Sequence, residues 1–533
     1  MFMNNIFSFI KKYRFLLFIL AVIPMFVFRD FTRNNELRYM SIADEALRNG
    51  NFFTFTNHGI NYADKPPLYL WIVMLGKTLF GTHSMLFLAM FSYIPALVLI
   101  YIMGKWVGKV VPEESRLAGE IMLLTSVFFI GSAVVLRMDM LMCMFIVLSL
   151  YTFFRIYSGE AKKRDSWLFP LYVFMAIFSK GPIGILVPLV STILFLIVKK
   201  DIKSIGRYWG FKTLGVLIGL CAVWFTGVFL EGGPEYLNNL LFNQTINRAV
   251  DSFHHKEPFF YYMIAIWYSL APWAFLMIGV LVAGLVKKVS STDLEKFFLV
   301  IALSTFTVLS LVSSKIQVYM LPAFPFFAYI TVLWLPKFED KKFVKILLGV
   351  PAFVMSLAIA GLLAAYKFTD FPVFESFLIP VTAAIVSITG LITLWILYRK
   401  SIYNAIISMG AGLLLAVFTI SFYIPQYNPN IGMRAVSEQA QETALEHGIF
   451  NYLTYNIPRI ENIDVYIGVV PREVTIEELE ERVNAAKSID SEAAEEQAVL
   501  FIMQSELKKD EKLAKLLEGK EKYPVGYFYY VIL

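Results

Sequence analysis

The sequence predicts an α-helical polytopic membrane protein of about thirteen transmembrane helices, with interfacial helices in its first outer loop and a small C-terminal α/β soluble domain. Three observations carry this. The 533 residues are 58% hydrophobic and only 17% charged, with mean hydropathy +0.64, whereas a soluble domain is nearer half apolar and about a quarter charged. The apolar excess is gathered into nearly uncharged blocks of about twenty residues, long enough to cross a hydrocarbon core as helices. From Pro425 onward the blocks stop and charge rises. Only helices and closed barrels satisfy the backbone inside a bilayer, and continuous rather than alternating apolar blocks select helices.

The predicted spans centre near residues 20, 96, 125, 148, 173, 190, 220, 270, 305, 327, 355, 387 and 412. The first follows a basic start (Lys11, Lys12, Arg14). It is read as an uncleaved helix, because no small-residue cleavage site follows it. Cytoplasmic loops are rich in Lys and Arg. With the N-terminus inside, the inner loops carry Lys105/Lys109/Arg116, Lys162/Lys163/Arg164, Lys199/Lys200/Lys203/Arg207, Lys287/Lys288, Lys337/Lys341/Lys342/Lys345 and Arg399/Lys400. An odd number of spans sends the C-terminus outside.

The transmembrane part is expected over residues 1–424, with outer loops at 29–83 and 231–258. In the first loop, Leu37–Arg48 has apolar residues at helical spacing (Leu37, Met40, Ala43, Leu47) with charges between, which suits a helix lying in the interface. A second such helix, Leu68–Phe80, follows the Pro66–Pro67 pair. Residues 425–533 alternate strand-like runs (Ile449–Tyr455, Ile463–Gly468, Ala498–Met503, Gly526–Leu533) with helical ones (Thr475–Ile489, Ser505–Gly519). This domain has no recognisable catalytic motif and is read as a capping or acceptor-docking element on the outer side.

Both cysteines, Cys143 and Cys221, fall in apolar blocks, so neither a disulfide framework nor a cysteine metal site can be built. The net charge of +6 is scattered over loops and is no nucleic-acid footprint. Ionisable groups at membrane depth are expensive and mark function. Arg137 and Asp139, Lys180 and Lys315 interrupt apolar blocks at predicted outer helix ends, and Glu36, Arg38, Asp64, Lys65, Arg248, His254 and His255 share that face. Snorkelling accounts for any one of them alone. Several cations and a few carboxylates beside the membrane fit an anionic lipid headgroup, with Lys and Arg on the phosphate oxygens.

Asn35-Glu36-Leu37-Arg38-Tyr39 and Tyr62-Ala63-Asp64-Lys65-Pro66-Pro67-Leu68 resemble the first outer loop of the aminoarabinose lipid A transferases, relatives of the protein O-mannosyltransferases in the C-type glycosyltransferase fold. Arg137-x-Asp139, Lys180-Gly181-Pro182, Arg248 followed by His255-Lys256-Glu257-Pro258-Phe259, and Tyr319-Met320-Leu321-Pro322 extend the resemblance in order over residues 15–330. It implies an enzyme of the bacterial inner membrane. The donor would be a polyprenyl-phosphate-linked sugar, and the acceptor a hydroxyl of lipid A, a protein or a glycan, among membrane lipids. Positions matching the family would place the donor phosphate on Arg38, Tyr62 and Lys65, helped by Tyr319, Arg248 and Lys180, and Arg137 is expected to line the same donor pocket. Transfer would invert the anomeric carbon, and no nucleotide is implied, in keeping with the lack of a glycine-rich phosphate loop.

Two positions depart from the family pattern. Asn35 stands where an aspartate is expected, so the base is either the adjacent Glu36 or Asp139, with Asn35 orienting the acceptor. A catalytically degenerate relative is the alternative. Asp64 replaces a glutamate; a divalent ion, zinc or manganese, would take Asp64 and His255 as its nearest ligands. A lipid or glycan transporter is the rival from another class. Transporters, however, show repeated halves and charges near mid-membrane, whereas here the charges gather at one end.

Overall fold

The computed structural model describes residues 2–242, 256–369, 376–399, 401–488 and 497–533. It is mostly helical and divides into two compact units. One comprises Met1–Pro24, Ala63–Tyr69 and Phe87–Ser421; the other comprises Met25–Tyr62, Leu70–Leu86 and Phe422–Leu533.

The first unit is a helical bundle with the composition of a multi-pass membrane protein. Among the described residues, seven helices are long and apolar enough to cross a bilayer: Met85–Val107, Asp139–Tyr157, Phe211–Phe242, Asp293–Leu311, Gln317–Lys337, Leu378–Tyr398 and Ile402–Ser421. Two bent pairs, Glu113–Leu124 with Val127–Val134 (66°) and Lys342–Ser356 with Ala358–Phe368 (46°), raise the number to nine. The expected thirteen is therefore not reached on length and apolarity alone. The shortfall has a physical cause: helices such as Ile183–Val198 and Ala274–Val286 are apolar but shorter than a full span.

Aromatic packing fills the bundle. Trp106 is ringed by Tyr151, Phe154, Phe298 and Phe326, and Phe153, Phe195 and Phe297 close a second cluster. On the lysine-rich side, two of the charges are neutralised within the protein. Lys199 meets Asp293 and Lys337 meets Glu295, each at 2.6 Å. Glu295 also completes a capping box with Thr292 at the start of Asp293–Leu311.

The second unit contains helix Glu36–Asn49, ended by Gly50 in the left-handed conformation, and helix Leu68–Phe80 lies largely within it. Both occupy the expected segments. Its five-stranded sheet runs Arg472–Glu473, Asn451–Tyr455, Ala498–Met503, Phe528–Ile532, Lys522–Val525. The first three strands are parallel and the last two antiparallel to their neighbours. Side chains alternate across a sheet. Leu453, Leu500, Ile502 and Val531 accordingly face Leu479, Val483, Leu513 and Leu517 in one buried core. On the other face Tyr530 meets Thr443 of helix Arg434–Glu446 at 3.0 Å.

The expected strand Ile463–Gly468 is instead a helical turn, Asp464–Ile467, ended by Gly468 at φ +77°. Ser41 and His58 meet the Asp464 carboxylate there, Ser41 Oγ donating at 3.0 Å and His58 Nε2 lying at 3.3 Å. Asp30 forms a second polar knot. Its carboxylate accepts from the Phe31 and Arg434 backbone N–H groups and from the Tyr466 hydroxyl.

Candidate functional site

In the first unit the expected cations converge. Asp139 opens helix Asp139–Tyr157, at the positive end of its dipole, and Lys180 closes helix Asp165–Lys180, at the negative end. The two charges pair: Lys180 Nζ donates to Asp139 Oδ1, and Arg137 Nε faces Oδ2 at 2.9 Å. Asp139 is 1% exposed and Lys180 8%. Ser92 holds the Arg137 backbone, accepting from its N–H at 3.4 Å and donating to its carbonyl at 3.3 Å.

Local sequence dictates the turn after Lys180. Gly181 sits at φ +99°, ψ −150°, a conformation reserved in practice for glycine, and Pro182 leads into helix Ile183–Val198. Gly184 then packs directly on the Ala176 backbone, so the two helices cross closely. Tyr319 lies in the turn Gln317–Ala323, with its ring centroid 4.9 Å from Lys180 Nζ. The segment leading to it is anchored by Lys315, which donates to the Glu257 carbonyl at 2.8 Å, and by Tyr262, which donates to the Ile316 carbonyl at 3.0 Å. Lys315, expected among the functional cations, is thus an anchor for the Tyr319 turn.

These residues border a cavity of about 390 Å³. Asp64, Lys65, Lys180 and Tyr319 supply its polar wall, and Ile177, Ile183, Leu186, Trp224, Leu240 and Leu309 are prominent on its apolar wall. Lys65 adds to the positive field on Asp139. Arg137 is not on the lining; it acts behind it, through Asp139. Sequence reasoning missed Trp224, which sits in an apolar block and reads as an ordinary span residue, and Leu240, which falls in the outer loop 231–258.

In the second unit, Arg38 stacks on Tyr62, its Cζ 5.1 Å from the ring centroid and its Nη2 3.5 Å from the hydroxyl. Asn35 precedes helix Glu36–Asn49, and its side chain makes no capping hydrogen bond. Glu36 is fully buried. Arg29 forks onto it, Nη1 to Oε2 at 2.7 Å and Nη2 to Oε1 at 2.8 Å, and the Thr32 N–H donates to Oε2 at 2.8 Å. A general base must come within about 3 Å of the proton it takes. A carboxylate with three donors on two oxygens and no exposed edge is instead built to hold the loop. Arg29 was missed because, just after the first apolar block, it reads as a membrane-edge anchor.

Arg248 and His255 lie outside the described residues. Among the described residues no three metal-ligating side chains converge, and Asp64 alone does not make a divalent-ion site.

Known proteins resemble this chain in sequence and fold. The family model described as dolichyl-phosphate-mannose-protein mannosyltransferase matches residues 64–225. A protein of Aquifex aeolicus is 29% identical over 377 residues, 68% of this chain and 73% of its own. The undecaprenyl phosphate-alpha-4-amino-4-deoxy-L-arabinose arabinosyl transferase of Edwardsiella ictaluri is 26% identical over 58% of this chain and 56% of its own, so the chain spans about half the length of that relative. The crystal structure of ArnT from Cupriavidus metallidurans bound to undecaprenyl phosphate superposes with a TM-score of 0.73 at 16% identity, over 98% of both chains.

The chain therefore has the fold of that ArnT structure. In sequence it is similar to the undecaprenyl phosphate-aminoarabinose arabinosyl transferases, in keeping with the resemblance of the motifs in its first 330 residues.

Proposed function

We propose that this protein is an inverting glycosyltransferase that moves a sugar from a polyprenyl-phosphate donor to a hydroxyl of a lipid, protein or glycan on the outer face of a bacterial inner membrane. The cavity carries the reading. Two lysines, a tyrosine and Asp64 stand beside a wall on which isoleucine, leucine and tryptophan are prominent, which is the pairing a phosphate headgroup on a long apolar chain requires. In the proposed step the acceptor hydroxyl oxygen attacks the anomeric carbon as the bond to the phosphate oxygen breaks, and the hydroxyl proton passes to the departing phosphate. Lys65 and Lys180 then stabilise the charge gathering on the departing phosphate. Asp139 is a positioning residue: it fixes Lys180 and is itself backed by Arg137. Because Glu36 is clamped and Asn35 takes up no proton at neutral pH, leaving-group stabilisation is assigned the larger share of the rate enhancement.

The proposal includes thirteen spans, a cytoplasmic N-terminus and an outer α/β domain over residues 425–533, supported by the loop charges and the sheet described above. It also includes a divalent ion at Asp64 and His255, through which no step is routed. The test is release of free undecaprenyl phosphate, followed by mass spectrometry, from proteoliposomes given undecaprenyl-phosphate aminoarabinose and lipid A. Wild type should release it and Lys65→Ala should lose at least about a hundredfold, the scale of one charge-stabilising donor. No release by wild type with lipid, protein or glycan acceptors would overturn the reading.

A further inference from the structure

A second, larger cavity in the helical unit has a different chemistry. It is a groove of about 740 Å³ along helix Ala274–Val286, walled by Phe275, Val282 and Val286 and floored by Gly279, whose missing side chain leaves the space Leu347 occupies. Aromatic pairs mark it, Trp267 with Phe275 (ring centroids 5.5 Å apart) and Phe338 with Phe343 (5.8 Å). All its lining is apolar except two lysines, Lys287 directly after helix Ala274–Val286 and Lys341 directly before helix Lys342–Ser356. Both are therefore at helix ends on one side of the bundle.

Charge pairing separates these two lysines from Lys199 and Lys337. Lys199 and Lys337 have carboxylate partners, whereas Lys287 and Lys341 have none among the described residues. The twelve steps from Phe275 to Lys287 rise about 18 Å, slightly more than half of a hydrocarbon core of about 30 Å. One leaflet's acyl chain fits that depth. Phe275, Val282 and Val286 are exposed, so the groove is open at the protein surface.

We infer that this groove is a binding site for an anionic glycerophospholipid of the surrounding bilayer, with one acyl chain along helix Ala274–Val286 and the phosphate on Lys287 and Lys341. The lipid supplies the counter-ion that the described residues do not. None of the groove's lining residues belongs to the donor cavity, so the site does not depend on the proposed transferase activity.

Native mass spectrometry of the full chain in detergent, titrated with equimolar phosphatidylglycerol and phosphatidylcholine, tests this. Two lysines at an anionic headgroup correspond to a preference for phosphatidylglycerol of roughly thirtyfold. Lys287→Gln/Lys341→Gln should reduce it to parity, while Val282→Trp, which fills the groove without touching charge, should lower retention of both lipids. Lys65→Ala should change neither. Equal retention of the two lipids by wild type, or a preference that survives the double glutamine variant, overturns the inference. Loss of the preference in Lys65→Ala does so too, because the retained lipid then sits in the donor cavity.

Discussion

Replacing Glu36 should unfold the loop that carries it before it alters any chemistry. The Arg29 side chain is 9% exposed and that of Glu36 is 0%. Glu36→Ala would remove the bidentate carboxylate partner of a buried guanidinium whose other contacts include the Asp30 carbonyl at 3.4 Å and the Met85 sulfur at 3.6 Å. Breaking one partner of a buried pair is destabilising by about 3–5 kcal/mol, whereas replacing both by apolar side chains of similar volume is often neutral. Glu36→Ala should therefore lose most of its thermal stability in detergent. Arg29→Met/Glu36→Met should recover it to within about 1 kcal/mol. The assay pairs tryptophan-fluorescence unfolding with donor turnover on the same preparations. With Glu36 acting structurally, the double variant is stable and retains transfer. A double variant that is stable yet inactive, or a Glu36→Gln protein of wild-type stability whose turnover falls at least about a hundredfold, would refute this and return the base to Glu36.

Asn35→Asp should raise turnover at neutral pH by roughly a hundredfold, the scale of a general base, if position 35 faces the acceptor; unchanged turnover removes it from the reaction. Gly181→Ala meets open space at its new Cβ but a backbone conformation that alanine rarely adopts. It should cost about 1–3 kcal/mol and raise the donor KM by displacing Lys180, and wild-type stability would argue against strain at this turn. The hydrogen bond and charge of Asp464, with Glu461 and Glu45 beyond it, hold the His58 imidazole above its ordinary value. A group raised in the folded state contributes fully below its unfolded value of about 6.5 and loses that contribution as pH rises through the folded value. Between about pH 6 and 8 the thermal midpoint of wild type should accordingly fall more steeply than that of His58→Gln, and parallel slopes would exclude the effect. If Asp64 and His255 hold an ion, Asp64→Ala should lower bound zinc or manganese measured on the purified protein; equal metal content excludes that pair.

Which features were legible in the sequence follows from what each depends on. Lys180-Gly181-Pro182 was legible because a lysine inside an apolar block is expensive wherever it points, and the glycine and proline beside it announce a turn. Helix Leu68–Phe80 was legible at both ends because the proline pair fixes its start. Segment Ile463–Gly468 was misread because Ile463, Val465 and Ile467 alternate like a strand. The turn is decided by contacts no local pattern carries: Asp464 receives Ser41, more than 400 residues away in sequence, and its carbonyl accepts from the Gly468 N–H at 2.8 Å.

Glu36 gives the same lesson for the candidate site. Cations near a membrane declare themselves individually, since each must find a phosphate, a carboxylate or water. A carboxylate's role depends on which of several nearby cations reaches it first, and that is a property of the turn between them. Residues Asp30–Asn35 fold back so that Arg29, seven positions before Glu36, takes both oxygens, while Arg38, only two positions after it, stacks on Tyr62 instead. Glu36 begins a helix directly after the turn that ends at Asn35. That change in backbone aims its carboxylate into the protein and leaves the phosphate-binding reading resting on Lys65, Lys180 and Tyr319.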